Sequence, residues 1–353
     1  DQYIEWIAQL KKRGRNASNE MIMPLPGETE ESYFAGVKFL MDNNIQTQTY
    51  TLMMLCGADL GRDEAIKKYK MKSKYRIIPK AFSEYFGKKT FEIERVCVGT
   101  STMSYQSYLN CRNFSFIVRL LSHPFLYPVT KLTQKIGLSW FEFSRELTET
   151  IQSENFKGKF KDIYEDFCKE SHNELFETEK EAIEFYSEPQ NFKLLMDGDI
   201  GENLIAKYTG QSLLALEDIF SVIFQVIRKK LKKEITENGE LNSILDNSEK
   251  WLKNLYLVND IVSNNEIKDN KHEIKMDFDF PEWLTETTLP FKKFSNKTTY
   301  KMSYDIEKVK YMRNEIDKLF GLKQDKNRAF GKYILRGSVS EIDSFKKKYE
   351  RLS

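Results

Sequence analysis

The first sixty residues alternate between helical and extended patterns, and this alternation constrains the fold more than any other feature of the sequence. Apolar residues at helical spacing indicate a helix over residues 4–12, and residues 20–23 read as a short buried strand that stops at Pro24. A second helix capped by Thr29 follows, and residues 45–55 are predicted to form the next strand. Helix–strand order with connections of a few residues is typical of β/α units.

Two such units alone would leave an open sheet with an exposed edge, which is an aggregation hazard. We therefore interpret residues 1–60 as the last β/α units of a partial TIM-like barrel whose earlier units are absent. Residues 61–124 are predicted to be a mixed connector, and residues 125–353 a largely helical C-terminal domain. The fold class expected is α/β followed by mainly α, with long helices over 129–153 and 203–233 and a strand over 276–281.

Charge and hydropathy exclude two classes of partner. The 55 Lys and Arg residues nearly balance the 53 Asp and Glu residues, so the composition gives no case for nucleic-acid binding. The strongest apolar run, residues 213–227, is interrupted by Glu217, Asp218 and Gln225, which makes it unsuited to span a bilayer. No signal peptide is visible, and we expect a cytoplasmic protein.

The four cysteines are far apart in the sequence. Cys56, Cys97, Cys111 and Cys168 form no C-x-x-C pair, and their spacing matches neither a disulfide framework nor a zinc site. Cys97 and Cys111 lie within strand and helix patterns and are predicted to be core residues. Cys56 is also predicted to be packed, because isolated cysteines are commonly buried.

The most specific stretch is EMIMPLPGET, residues 20–29. It predicts a buried strand that ends in a tight turn, in which Gly27 permits close approach of a ligand and Glu28 adds a charge. In a β/α barrel, ligands bind at this end of the strand. Taken alone, the stretch is equally compatible with an ordinary strand-to-helix turn.

This stretch resembles the strand and P-G-E-T segment of radical S-adenosylmethionine (SAM) barrels. The resemblance implies that Ile22 packs against the adenine of SAM and that Gly27 and Glu28 form the adjoining turn. Pro24 stands where the family usually has glycine.

The resemblance continues through the next predicted strand, residues 45–55, and the turn that follows it. It implies that Leu55 and Gly57 also border the SAM site, with Cys56 in place of the usual proline. The segments up to about residue 120 resemble those of radical SAM proteins that carry an N-terminal cobalamin-binding domain. The remainder resembles the helical C-terminal extension of that group only loosely.

The resemblance implies radical SAM chemistry, but this chain does not contain the cysteine motif that such chemistry requires. Radical SAM enzymes hold a 4Fe–4S cluster with three thiolates in a C-x-x-x-C-x-x-C loop, and the cluster reduces SAM to a 5′-deoxyadenosyl radical. No cysteines here have that spacing. The chain is thus expected to be the C-terminal portion of a radical SAM enzyme, inactive without a missing N-terminal half that binds the cluster and, in this subgroup, cobalamin. Its substrate would be a small molecule, changed by methyl transfer or radical rearrangement.

Polar and aromatic residues beyond the barrel segment leave alternatives open. Arg76 could clamp a substrate carboxylate or phosphate, or form a structural salt bridge to Glu92 or Glu94. Aromatic residues of the helix pattern over 104–121 are predicted to pack that helix onto the barrel. The alternative to an enzyme is a non-catalytic helical binding module on a degenerate β/α scaffold, which the helical mass after residue 129 and the missing cysteines favour.

Overall fold

The structure, a computed structural model, describes residues 2–14, 18–262, 271–320, 326–336 and 343–352. Its contacts divide the chain into two compact units. The first unit extends to Ser122 and also includes Tyr164–Ile205, and the second comprises His123–Ile163 and the residues from Ala206 onward. The first unit is therefore not one continuous stretch of chain. The predicted three-part division at residues 60 and 124 stays a prediction.

The elements follow one another in a mixed order first and a mainly helical order afterwards. As far as Leu121 they are α1 (Gln2–Lys12), β1 (Ser18–Met23), α2 (Glu30–Asp42), β2 (Gln46–Thr51), α3 (Asp63–Tyr69), β3 (Lys72–Tyr85), β4 (Lys88–Gly99) and α4 (Tyr105–Leu121). The helices that follow are α5 (Tyr127–Lys135), α6 (Trp140–Gln152), α7 (Lys159–Asn173), α8 (Glu179–Ser187), α9 (Pro189–Asp197) and α10 (Leu204–Leu213). The last part contains α11 (Leu216–Lys230), α12 (Lys232–Glu237), α13 (Gly239–Leu255), α14 (Val258–Val262), β5 (His272–Met276), α15 (Phe280–Thr285), β6 (Thr298–Ser303), α16 (Ile306–Phe320), α17 (Lys326–Arg336) and β7 (Lys348–Arg351).

The first two strands form a parallel pair. Ser18 lies opposite Gln46 and the register continues to Met23 opposite Thr51, with α2 as the connection. Thr29 caps α2: its hydroxyl accepts from the Ser32 amide at 3.1 Å, and the Ser32 hydroxyl accepts from the Thr29 amide at 2.9 Å. This reciprocal cap satisfies two amides that the helix itself leaves unpaired. The predicted β/α order and the Thr29 cap are confirmed.

Helices α1 and α2 cover one face of this parallel pair. Ile7 and Leu40 pack with Ile45 in one apolar cluster, to which Met21 of β1 contributes. Gly36 allows α2 to approach the sheet closely, since a Cβ there would lie 3.2 Å from the Met21 Cε atom. The two helices therefore bury the β1 side chains that point to their side.

A long antiparallel hairpin, β3–β4, continues the first unit. The chain after β2 pairs with β4: the Cys97 amide donates to the Leu52 carbonyl at 2.8 Å, and the Met54 amide to the Arg95 carbonyl at 2.8 Å. Helices α8 and α9 pack on the hairpin around Ile77. The residues beyond α7 thus complete the core of the hairpin.

The second unit is mainly helical. Helix α11 is at its centre, with eight buried side chains from Leu216 to Ile227, and packs on α6 and α13. Strands β5, β6 and β7 form a small antiparallel sheet against this helical part, where Trp251 contacts Tyr300 and Tyr349 edge to face.

Two long predicted helices are interrupted. The helix predicted over 129–153 is wrong as a single element, because Gly137 adopts a left-handed φ of +77° between α5 and α6 and Ser139 caps α6. The helix predicted over 203–233 is divided into α10, α11 and α12, with a bend of 87° between α10 and α11.

The strand predicted over 276–281 is also wrong beyond Met276. Asp279 caps α15 by accepting from the Glu282 amide at 3.2 Å, and Pro281 lies in the first turn. A capping carboxylate followed by proline begins a helix, and this local signal outweighs the alternation of apolar residues.

The three sheets of the described residues are separate, and none of them is a closed barrel. The partial barrel therefore stays a prediction. Among the same residues no single helix has the length and hydropathy of a membrane span, although α10 and α11 taken together would pass that test.

Candidate functional site

The turn after β1 is held together by Glu28. The Glu28 amide donates to the Leu25 carbonyl at 3.0 Å, and the Leu25 amide donates to Glu28 Oε2 at 3.2 Å. Partial burial raises the pKa of the Glu28 carboxyl, and the hydrogen bond from Leu25 opposes that rise. The Glu28 side chain is thus folded back onto its own turn.

Pro24 and Gly27 shape this turn. Pro24 is buried and follows a cis peptide bond after Met23. Gly27 has a φ of +87°, a conformation that favours glycine, and a Cβ added there would meet nothing within 4 Å. The space beside the Gly27 backbone is therefore open, as a ligand-binding turn requires.

The face of the parallel pair opposite α1 and α2 is uncovered in the part of the chain that the structure describes. Ile22 and Tyr50 are direct neighbours across the strands and are 45% and 47% exposed. Glu20 and Gln48 are the next pair on the same face. We call these four side chains the open sheet face. An apolar and aromatic pair flanked by polar groups suits a planar ligand with polar substituents.

The segment after β2 borders the same end of the sheet. Leu52 and Met54 point into a core cluster, so Leu55 remains exposed beyond them. Gly57 has a φ of +83° and open space around its Cα. Gly61 is needed for close packing, since a Cβ there would lie 2.2 Å from the Leu55 carbonyl oxygen.

Arg76 is part of a buried ion network. Its Nε donates to Glu94 Oε1 at 2.5 Å and its Nη1 to Glu174 Oε1 at 3.2 Å. Arg112 Nη2 donates to the same Glu174 oxygen at 2.6 Å, and Arg112 Nε donates to the Ser171 hydroxyl at 3.2 Å. The predicted alternative of a salt bridge from Arg76 to Glu94 is confirmed. A substrate anion at Arg76 would have to compete with these carboxylates, and that role stays a prediction.

Helix α4 links this network to the end of β2. The Tyr108 hydroxyl is 3.0 Å from the Thr51 hydroxyl, and Tyr105 stacks on Tyr108 with ring centroids 6.2 Å apart. Tyr108, Phe114 and other aromatic residues of α4 are buried, as the packing role predicted for them requires.

The cysteines do not form a cluster site. Cys97 and Cys111 are buried, as predicted, and burial raises the pKa of both thiols. Burial also raises the pKa of Cys168 to about 11. The prediction for Cys56 is wrong: pairing with β4 stops at Met54, and the turn at Gly57 leaves Cys56 exposed. Among the described residues no three cysteine, histidine or acidic side chains could hold a metal, so these residues do not fit a 4Fe–4S cluster.

A further charged residue lies near the end of α4, namely Arg119. It is the charged residue of the apolar run FSFIVRLL at the end of α4, and it is partly buried. A single arginine in such a run is the sequence signal that could have identified it.

Comparison with protein-family models and with curated proteins gave no match for this chain.

Proposed function

We propose that the chain is the C-terminal portion of a cytoplasmic radical SAM enzyme and that the open sheet face contributes to its SAM site. The observation that supports this best is the exposed Ile22 on an uncovered parallel strand, directly before a turn with open space at Gly27. Binding at the carboxyl ends of parallel strands is the general rule for β/α barrels.

The incomplete sheet supports the proposed missing half. Parallel sheets are normally covered on both faces, and β1 pairs with β2 alone among the described strands. Further β/α units would pair with the exposed edge of β1. They would also cover Ile22 and Tyr50 on the open sheet face. We propose that an N-terminal segment of the same protein supplies them.

The residues of this chain would then bind and orient SAM. Ile22 would pack against adenine and keep water from that side of the ring, with Tyr50 beside it. Pro24, Gly27 and Glu28 would fix the turn at the edge of the site, and the exposed segment at Leu55 and Gly57 would border the next strand end.

The other cofactors would be held outside this chain. The cysteines described above do not fit the cluster, so its three thiolates are assigned to the N-terminal half. Cobalamin rests on the subgroup resemblance and is assigned to an upstream domain. The small-molecule substrate would lie at the same end of the sheet.

The first experiment is to read the coding frame upstream of Asp1. Closing a barrel takes about four more β/α units of about 30 residues each, so a C-x-x-x-C-x-x-C loop is expected more than about 100 residues upstream. Absence of that loop from the extended frame would contradict the proposal and favour the binding-module alternative.

The second experiment measures SAM binding by equilibrium dialysis on the full-length, anaerobically reconstituted protein. Ile22→Asp should weaken SAM binding by about tenfold or more, because a carboxylate would be desolvated against adenine. Ile183→Asp is the matched control, since Ile183 of α8 is 38% exposed and lies outside the open sheet face. Equal affinities for the two variants would remove Ile22 from the site.

A further inference from the structure

We infer that the tip of the β3–β4 hairpin binds the surface of a lipid bilayer that contains anionic headgroups. The hairpin tip consists of Tyr85, Phe86, Gly87 and Lys88. None of these residues belongs to the open sheet face, so the inference is independent of the proposed function.

The hairpin tip presents two aromatic side chains to solvent. Phe86 is fully exposed, and Tyr85 is 62% exposed. Transfer of an aromatic side chain out of water is favourable, and folding of the chain recovers none of that free energy at Phe86.

The backbone conformation makes Phe86 still more unusual. The two strands are joined by a two-residue turn in which Phe86 has a φ of +50° and Gly87 a φ of +75°. Positive φ at both positions is typical of a type I′ turn, where asparagine, aspartate or glycine is preferred. A bulky side chain is strained in this conformation. A residue that is both strained and fully exposed does not stabilise the fold, and such an outlier indicates a contact with another molecule.

The position of the hairpin tip is fixed by contacts with α8 and α9. Lys89, the residue directly after the tip, donates from Nζ to the Ser187 carbonyl at 2.6 Å. The same ammonium lies over the Phe192 ring, 4.8 Å from its centroid. The hairpin therefore holds its tip at one place on the first unit.

The register of the hairpin gives the direction of the tip side chains. Phe82 lies opposite Phe91, and both pack in the apolar cluster with α8 and α9. Lys89 points to that same face, because strand residues two apart share a face. Tyr85 and Lys88 are opposite each other on the other face. Tyr85 and Lys88 thus point away from α8 and α9, beside the exposed Phe86.

The size and chemistry of the hairpin tip fit a lipid surface. A stable protein interface takes about 20–30 residues from each partner, whereas the tip has four residues at the end of a narrow hairpin. Aromatic side chains insert readily among lipid headgroups. Lys88 is exposed next to them, and a lysine at this depth is attracted by anionic headgroups.

Sedimentation of the 353-residue chain with vesicles tests the inference. The vesicles are phosphatidylcholine with about one third phosphatidylserine, at millimolar lipid. Phe86→Asn should weaken binding about tenfold or more, because the buried aromatic area is lost. The same variant should melt no lower than the natural chain, because asparagine suits the left-handed turn position. Phe86→Trp should bind at least as tightly as the natural chain.

Two tyrosine variants of equal exposure provide the matched control. Tyr85→Ser should also weaken vesicle binding, whereas Tyr311→Ser should leave it unchanged, since Tyr311 is 61% exposed but lies on α16 of the second unit. Vesicles of pure phosphatidylcholine should bind about fivefold more weakly, because the attraction of Lys88 to anionic headgroups is lost. Equal binding to the two kinds of vesicle would overturn the assignment to anionic lipid.

Three results would overturn the inference as a whole. The first is a natural chain that stays in the supernatant, and the second is unchanged binding by Phe86→Asn. The third is a change of oligomeric state in Phe86→Asn, measured by light scattering, which would assign the hairpin tip to a contact with a second copy of the chain. None of these measurements involves SAM, so failure of the SAM site and failure of the lipid contact give different results.

Discussion

Replacing Glu174 with glutamine tests the buried ion network of the first unit. One oxygen atom, Glu174 Oε1, accepts from Arg76 at 3.2 Å and from Arg112 at 2.6 Å. The amide keeps an oxygen acceptor but removes the negative charge. Arg76 would retain Glu94, whereas Arg112 would retain the neutral Ser171 hydroxyl.

The magnitude follows from burial. The side chains of Glu174 and Arg112 are 16% and 8% exposed, so solvent screens this pair weakly. Removing one partner of a buried ion pair costs about 3–5 kcal/mol. Because glutamine retains hydrogen bonding, we expect the free energy of local opening to fall by about 2–3 kcal/mol.

Hydrogen exchange measured by mass spectrometry is the suitable assay, since a chain with two units need not unfold in one step. Peptides from β3, β4 and the first two turns of α4 should exchange about 30- to 150-fold faster in Glu174→Gln, at about 1.4 kcal/mol per tenfold. The matched control is Glu177→Gln, which breaks the Lys74–Glu177 pair at a carboxylate that is 71% exposed. Exposed pairs contribute about 0–1 kcal/mol, so this control should change exchange by less than about fivefold.

Equally fast exchange of these peptides in the two variants would contradict the expected weakening of the ion network. That result would mean that the shared Glu174 oxygen contributes no more than a surface ion pair. Faster exchange confined to the second unit would contradict it too.

Two further predictions concern the candidate site. Burial raises the pKa of Glu28 above 4.5, so the folded chain favours the protonated acid and loses stability as the pH rises through the raised pKa. Glu28→Gln should therefore melt higher than the natural chain at pH 7 and lose this advantage below about pH 4.3, and an equal difference at both pH values would contradict the burial argument. Gly61→Ala should make the segment from Leu55 to Gly61 more susceptible to limited proteolysis, because the added Cβ would lie 2.2 Å from the Leu55 carbonyl oxygen. Gly57→Ala is the control, because the added Cβ would meet no atom within 4 Å. It should lower stability only by the cost of a left-handed alanine, about 1–2 kcal/mol. Faster proteolysis of Gly57→Ala than of Gly61→Ala would contradict this prediction.

Local signals in the sequence were sufficient for the parallel pair and its turns. Thr29 predicts the start of α2, and the proline-and-glycine stretch after Met23 predicts the end of β1. In both cases the residues that determine the conformation lie within a few positions of one another, so composition and spacing contain the information. The strand predicted to continue to Leu55 ends at Thr51, because the next residues pair with β4, and the turn at Gly57 comes only after that pairing.

Contacts between distant residues could not be predicted in the same way. Glu174, which pairs with Arg76, lies 98 residues further along the chain. The break at Gly137 was missed because an isolated glycine within a helical pattern is often tolerated.

The return of Tyr164–Ile205 to the first unit determines the order in which that unit can mature during synthesis. The hairpin β3–β4 emerges from the ribosome long before α9, whose Leu195 packs in the same cluster as Ile77. At about 5–20 residues per second, the wait for about 100 further residues lasts about 5–20 seconds. During that interval the residues of α8 and α9 that pack with Ile77 have not yet been synthesised, so this apolar side of the hairpin is exposed to association with other chains.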